Sequence, residues 1–161
     1  MRVPLAFLAV SLAATVAAQV PAGPEVAVNV NTAGTQTSPA VAHLPDGGFV
    51  VAWQDDLLEG GYASLDGVFA RRFGADGTPR GAEFRVNTYT TLRQQNADMA
   101  VDARGNFVVV WHSESGQDGD EFGVFGQRFN RAGQPLGSEF LVNGYTFGAQ
   151  FLGSVAMAPD G

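Results

Sequence analysis

The residues best suited to chemistry lie in two acidic, glycine-rich stretches that occupy matching places in the chain. One runs Gln54-Asp55-Asp56-Leu57-Leu58-Glu59-Gly60-Gly61-Tyr62 and on to Asp66-Gly67; the other runs His112-Ser113-Glu114-Ser115-Gly116-Gln117-Asp118-Gly119-Asp120-Glu121-Phe122-Gly123. Carboxylates set among glycines can ligate calcium, which takes about six to eight oxygen donors. Against the EF-hand pattern, Phe122 stands where Asp or Asn is wanted and Phe129 where the bidentate Glu belongs. No cofactor is therefore expected beyond weak calcium binding, in the extracellular range of about 10⁻⁴ to 10⁻³ M.

Paired acids also hydrolyse glycosides, but that chemistry needs two carboxyls at a fixed separation, with burial raising the pKa of one. Acids flanked by glycine in loops give no sign of burial. The chain also lacks a Gly-x-Ser-x-Gly elbow, a phosphate-cradling loop and a His-Glu-x-x-His pair. His43 and His112 fall at unrelated places and read as surface or edge residues rather than bases. Nothing here points to an enzyme. Tyr62, Tyr89 and Tyr145 offer rings on which a sugar could stack. The candidate binding residues are thus Asp55, Glu59, Tyr62, Tyr89, Asp118, Asp120 and Tyr145, for an extracellular ligand such as a glycan or a protein.

The elements that position these loops follow from an internal repeat. Glu83-Phe84-Arg85-Val86-Asn87 returns as Glu139-Phe140-Leu141-Val142-Asn143, and Phe49-Val50-Val51-Ala52-Trp53 returns as Phe107-Val108-Val109-Val110-Trp111. The step is about 58 residues before the first long loop and about 56 after it, so the length difference falls in one loop, as stacked repeats allow.

Each copy reads as four strands. The first is Ala40 to Leu44, matched by Asp98 to Asp102 and by Ser154 to Ala158. A glycine-bearing tight turn leads to the second, Phe49 to Trp53 or Phe107 to Trp111, apolar on both faces as a strand covered on both sides must be. The third is Val68 to Phe73 or Val124 to Phe129, with Phe69 and Phe73 on one face and Arg72 and Arg128 on the other. The fourth is Glu83 to Asn87 or Glu139 to Asn143. Arg72 with Glu83, and Arg128 with Glu139, are expected to pair across strands, and Gln36, Gln94 and Gln150 to cap the turns between repeats.

This pattern predicts an all-β fold of propeller type, with four-stranded antiparallel blades at about 39–87 and 97–143 and a partial third from 150. Glu25 to Asn29 would be an orphan fourth strand and Ser154 to Ala158 an orphan first strand. Because a propeller takes four to eight blades, the sequence is expected to be a fragment of a longer product, and marginal alone.

Residues 1–18 have the form of a secretory signal peptide: Met1-Arg2, an apolar run to Val16, and small residues before Gln19. Residues 19–24 read as a spacer, and 25–161 as the repeat region, with no membrane insertion expected once the leader is cleaved. There is no cysteine, so an exported chain must hold itself together by packing. A formal charge of −7 disfavours nucleic acid as a partner.

The phrases Gly48 to Trp53, Gly123 to Phe129 and Gln134 to Asn143 resemble the tandem repeats of large bacterial exported proteins, in which "GVFGQRF…G.PLG.EF.VNT" recurs. Ala70-Arg71 departs from the Gly-Gln of that phrase, and Gly144 from its Thr. The resemblance implies a propeller-like, secreted or cell-surface repeat region with no catalytic residues. The expected role is adhesion, scaffolding or display. The alternatives are a carbohydrate-binding module using the long-loop rim, and accessory blades of a secreted hydrolase.

Overall fold

The computed structural model describes residues 25–56, 66–114, 116–151 and 154–161. The expected leader and spacer, and the candidates Glu59 and Tyr62, lie outside the described residues. The fold is all-β: two four-stranded antiparallel sheets, each a simple meander. The first comprises β1 (Gln36–His43), β2 (Phe49–Asp55), β3 (Gly67–Phe73) and β4 (Phe84–Arg85). The second comprises β5 (Gln94–Val101), β6 (Phe107–Glu114), β7 (Phe122–Phe129) and β8 (Phe140–Leu141). Among the described residues, no helix is long and apolar enough to cross a membrane.

The apolar runs at β2 and β6 become the second strands, each hydrogen-bonded on both edges and buried along most of its length. Side-chain alternation gives each sheet two unlike faces. Phe49, Val51, Trp53, Phe69 and Phe73 share one face of the first sheet, while Val50, Ala52, Val68 and Ala70 share the other. In the second sheet the large face carries Phe107, Trp111, Phe125 and Phe129. It packs on the small Val and Ala face of the first sheet to form one core, with Met99 and Val109. Large side chains thus face small ones across this space, a pairing that lets the two layers interdigitate. The large face of the first sheet is covered instead by the N-terminal segment, with Val28 packed among Val51, Trp53 and Phe73.

Turn chemistry repeats faithfully. Gly47 and Gly105 hold φ near +85° in the tight turns after the first strands, where a Cβ would be strained. Both first strands also carry a bulge, at Ser38 and at Asn96, each with φ +51°. The bulge lengthens these strands to begin at Gln36 and Gln94, earlier than the apolar pattern implies.

Three expectations need correction. The fourth strands are only two residues long, because just Phe84–Arg85 and Phe140–Leu141 continue the ladder. Among the described residues, neither Glu25 to Asn29 nor Ser154 to Ala158 pairs in a ladder, so neither is a strand of the two sheets. Arg72 does not pair with Glu83, nor Arg128 with Glu139. Arg72 donates to the carbonyls of Arg131 (2.8 Å) and Arg80 (3.1 Å), and Arg128 lies over the Phe140 ring. The two glutamates instead face the segment that precedes their own repeat, accepting from Val30 N and Thr88 N, backbone donors that need acceptors.

Candidate functional site

The long loops and the connections between repeats meet at one end of the sheets. Asp56 N donates to Thr35 O and Glu114 N to Arg93 O, tying the end of each second strand to the connection that enters the first strand. Gln36, Gln94 and Gln150 cap these connections as expected: each Nε2 donates to the carbonyl three residues back, at Ala33 (2.6 Å), Thr91 (3.3 Å) and Phe147 (3.0 Å).

The candidate residues divide between the two sheets. Asp55 ends β2 and is fully buried, paired in register with Gln36 and Gly67. Tyr89 is half-buried, and its carbonyl accepts from Asn87 Nδ2 (2.8 Å). At the second sheet, Asp118 Oδ1 accepts from Asp120 N (3.3 Å), and Asp120 Oδ2 accepts from Gly148 N (2.8 Å). Tyr145 is exposed beside them, and its carbonyl accepts from Asn143 Nδ2 (2.8 Å). Asp118, Asp120 and Tyr145 therefore share one corner of the rim, while Asp55 and Tyr89 belong to the other sheet's corner. Among the described residues, no three His, Asp or Glu side chains gather where they could hold a metal ion.

Asp118 and Asp120 thus accept hydrogen bonds from backbone of their own loop and of the following connection, and other acids bridge from one sheet to the next. Asp66 shows this most fully, accepting from Gln54 Nε2 (3.1 Å) in its own sheet and from Gln95 Nε2 in the next. Glu139 likewise accepts from Thr88 N (2.7 Å) of the preceding unit and from Gln117 Nε2. Asp66 did not stand out in sequence and Glu139 did so only as the expected partner of Arg128, because contacts between repeats are not legible until the neighbouring repeat is placed.

His112 departs from expectation. It is buried rather than at the surface, with Phe122 and Phe151 edge-on to its ring at 5.7 and 5.6 Å and Asn96 Nδ2 3.2 Å from Nε2. Burial pushes its pKa below the usual 6.5 and keeps the imidazole neutral. His43 is exposed at the end of β1.

The opposite, tight-turn end of the sheets holds none of the residues singled out in sequence as candidates. It contains a cleft of about 420 Å³ between the sheets, where Arg80, Arg104 and Arg131 surround Asp46. Arg80 Nη1 lies 2.6 Å and Arg131 Nη2 3.7 Å from Asp46 Oδ2, and these bonds hold the Asp46 carboxyl below its usual range. The signal was present: Asp46, Arg104 and Asp160 occupy one turn position in successive copies and alternate in charge. Asp102, beside this rim, is buried, which would raise its pKa; hydrogen bonds from Asn106 Nδ2 (2.7 Å), Asn106 N (2.8 Å) and Arg104 N (2.8 Å) outweigh that and lower it.

No known family model matches the chain, and no curated protein is detectably similar to it in sequence.

Proposed function

We propose that the two sheets are consecutive propeller-type blades of an exported protein, and that the chain works without catalysis by presenting its long-loop rim to extracellular partners, in adhesion, scaffolding or display. The observation that carries this reading is the contact that recurs from unit to unit. The large aromatic face of one sheet meets the small face of the other, and the N-terminal segment occupies the equivalent place on the first sheet. A head-to-tail contact of this kind closes into a ring or continues as an array. The first strands lie side by side, and Ser38, Ala40, Asn96, Asp98 and Ser154 line one open groove, as inner strands around a central channel would. Of the candidate carboxylates, Asp118 and Asp120 accept hydrogen bonds from backbone N–H groups, which accords with a structural or binding role.

Tyr145, Phe147 and Phe151 favour a glycan as the second, more specific reading: they are 69%, 76% and 66% exposed at the corner that holds Asp118 and Asp120. Exposed rings beside hydrogen-bonding acids suit the apolar face and hydroxyls of a sugar. Expression with its own leader in a bacterial host tests export: the product outside the cytoplasm should begin at Gln19, and an uncleaved cytoplasmic chain overturns that part. A glycan microarray tests the ligand. Binding that Tyr145→Ala with Phe147→Ala removes supports the sugar reading, and binding indifferent to this pair moves the site elsewhere.

A further inference from the structure

Three arginines that break the repeat converge on one cleft. Arg80 answers to Leu136 in the other copy, Arg131 to Ala75, and Arg104 to Asp46 and Asp160. Each copy forms its turns with an uncharged or acidic residue at the same place, so the framework needs none of the three. Yet all of them line the opening of about 420 Å³ between the tight-turn ends of the two sheets, where Asp46 is the single carboxylate of the lining. Three guanidinium charges against one carboxylate leave a surplus of two, in a chain whose formal charge is −7.

Contacts between the repeats fix this cleft. The half-buried Arg72 donates to the carbonyls of Arg131 (2.8 Å) and Arg80 (3.1 Å), so one guanidinium ties the backbone of two cleft arginines across the boundary between sheets. Burial, and then the charge of Arg80, lower the Arg72 pKa, a sign that positive charge is gathered closely here. Gly48 leaves the space that the head of Arg80 occupies: a Cβ there would stand 3.2 Å from its Cζ and Nη2. Asp46 reaches Arg80 at 2.6 Å but Arg131 only at 3.7 Å, so it satisfies one fork and holds the other loosely. A guanidinium carries five N–H donors, and of those on Arg104 one goes to Asp160 O at 3.3 Å. The other acids that feel this charge are engaged elsewhere: Asp76 accepts from Thr78 N and Oγ1, and Asp102 from Asn106 and from Arg104 N. Arg104 and Arg131 therefore keep donors for a further acceptor.

We propose that the cleft is an anion site, taking a tetrahedral oxyanion, phosphate or sulfate, between Arg104 and Arg131 with Arg80 at its side. Guanidinium forks bond two oxygens of such a group at once, and the two surplus charges match a dianion. The cleft opens to solvent, so it admits the free ion and equally an ester group on a sugar whose remainder stays outside. The site lies at the end of the sheets opposite the long loops and is independent of export and of any ligand there.

Isothermal titration calorimetry of the purified chain, at constant ionic strength in sodium chloride, tests it with sodium phosphate and sodium sulfate. At least one ion should bind one-to-one with a Kd of about 1 mM or tighter. Arg104→Gln with Arg131→Gln, both at exposed positions, should weaken that binding by at least about tenfold and leave the circular dichroism melt unchanged. Asp46→Asn should tighten it, because the competing carboxylate is gone while the amide oxygen still accepts from Gly48 N, now bonded at 3.1 Å. Phosphate and sulfate esters of glucose identify the source: an ester that binds as tightly as the free ion marks a group on a larger ligand, and binding confined to the free ion marks the ion itself. If neither ion binds beyond the sodium chloride control, the proposal is overturned, as it is by binding that the double arginine variant leaves intact. Binding that weakens in Asp46→Asn also overturns it, since the carboxylate would then belong to the site instead of competing for it.

Discussion

His112 shows how one residue's surroundings decide its chemistry. Its counterpart in the first repeat is Gln54, a side chain that titrates nowhere near neutrality, so the position carries no need for a base. Phe122 and Phe151 enclose the imidazole and burial lowers its pKa from 6.5. Below about pH 6.5 the unfolded chain binds a proton at His112 that the folded chain resists. Unfolding then takes up a proton, so stability falls as the pH drops, until the folded imidazole also protonates. Urea midpoints between about pH 7.5 and 5.5 should therefore decline on acidification. His112→Gln, which copies the first repeat, should flatten that slope while leaving the midpoint at pH 7.5 nearly unchanged. A slope that persists in His112→Gln places its origin elsewhere. The burial was not legible in sequence, since a histidine aligned with a glutamine reads as a surface site until Phe151, from the next repeat, is seen to close over it.

At the scale of elements, sequence read best where both faces of a strand are apolar. Phe49 to Trp53 and Phe107 to Trp111 announce a doubly covered strand, and the recurring glycines fix the turns beside them. It read worst where partners come from another repeat. The fourth strands look five residues long in pattern but pair over two, and the glutamates preceding them serve the adjacent unit. The glutamines before the first strands were legible as caps, yet the copies differ in a way only packing shows. Gln94 Oε1 accepts from the buried Trp111 Nε1 at 2.9 Å, whereas Gln36 Oε1 is taken by Asn29 Nδ2 at 3.3 Å, and buried Trp53 Nε1 has no partner among the described residues. Gln94→Ala should thus orphan a buried donor and cost about 1–3 kcal/mol. Gln36→Ala disturbs no indole bond and should cost clearly less. Equal losses in denaturant melts would show that capping of the connection, common to both, dominates over the tryptophan bond.

For the whole molecule, the question is whether two sheets that look alike unfold as one. Their main core is a single cluster: Val50, Ala52, Val68 and Ala70 of the first sheet cannot be separated from Phe107, Trp111, Phe125 and Phe129 of the second without exposing both sets. Hydrogen bonds such as Arg72 to Arg131 O and Gln95 to Asp66 cross the same boundary. Repeat proteins lose cooperativity only when the interface between units is weak relative to each unit alone. Here neither sheet keeps a full core by itself, so unfolding should be one transition. The chain's two tryptophans make this measurable, because Trp53 lies in the first sheet's own cluster and Trp111 in the shared core. Trp111→Phe leaves fluorescence reporting on the first sheet alone, and Trp53→Phe leaves it reporting on the second. Within each variant the fluorescence midpoint should coincide with the circular dichroism midpoint, as two-state unfolding requires. Trp111→Ala should destabilise both sheets together by about 3–5 kcal/mol, through the cavity it leaves between them. Fluorescence and circular dichroism midpoints that separate in either variant would mean that each sheet melts on its own, and that the shared core contributes less than its composition implies.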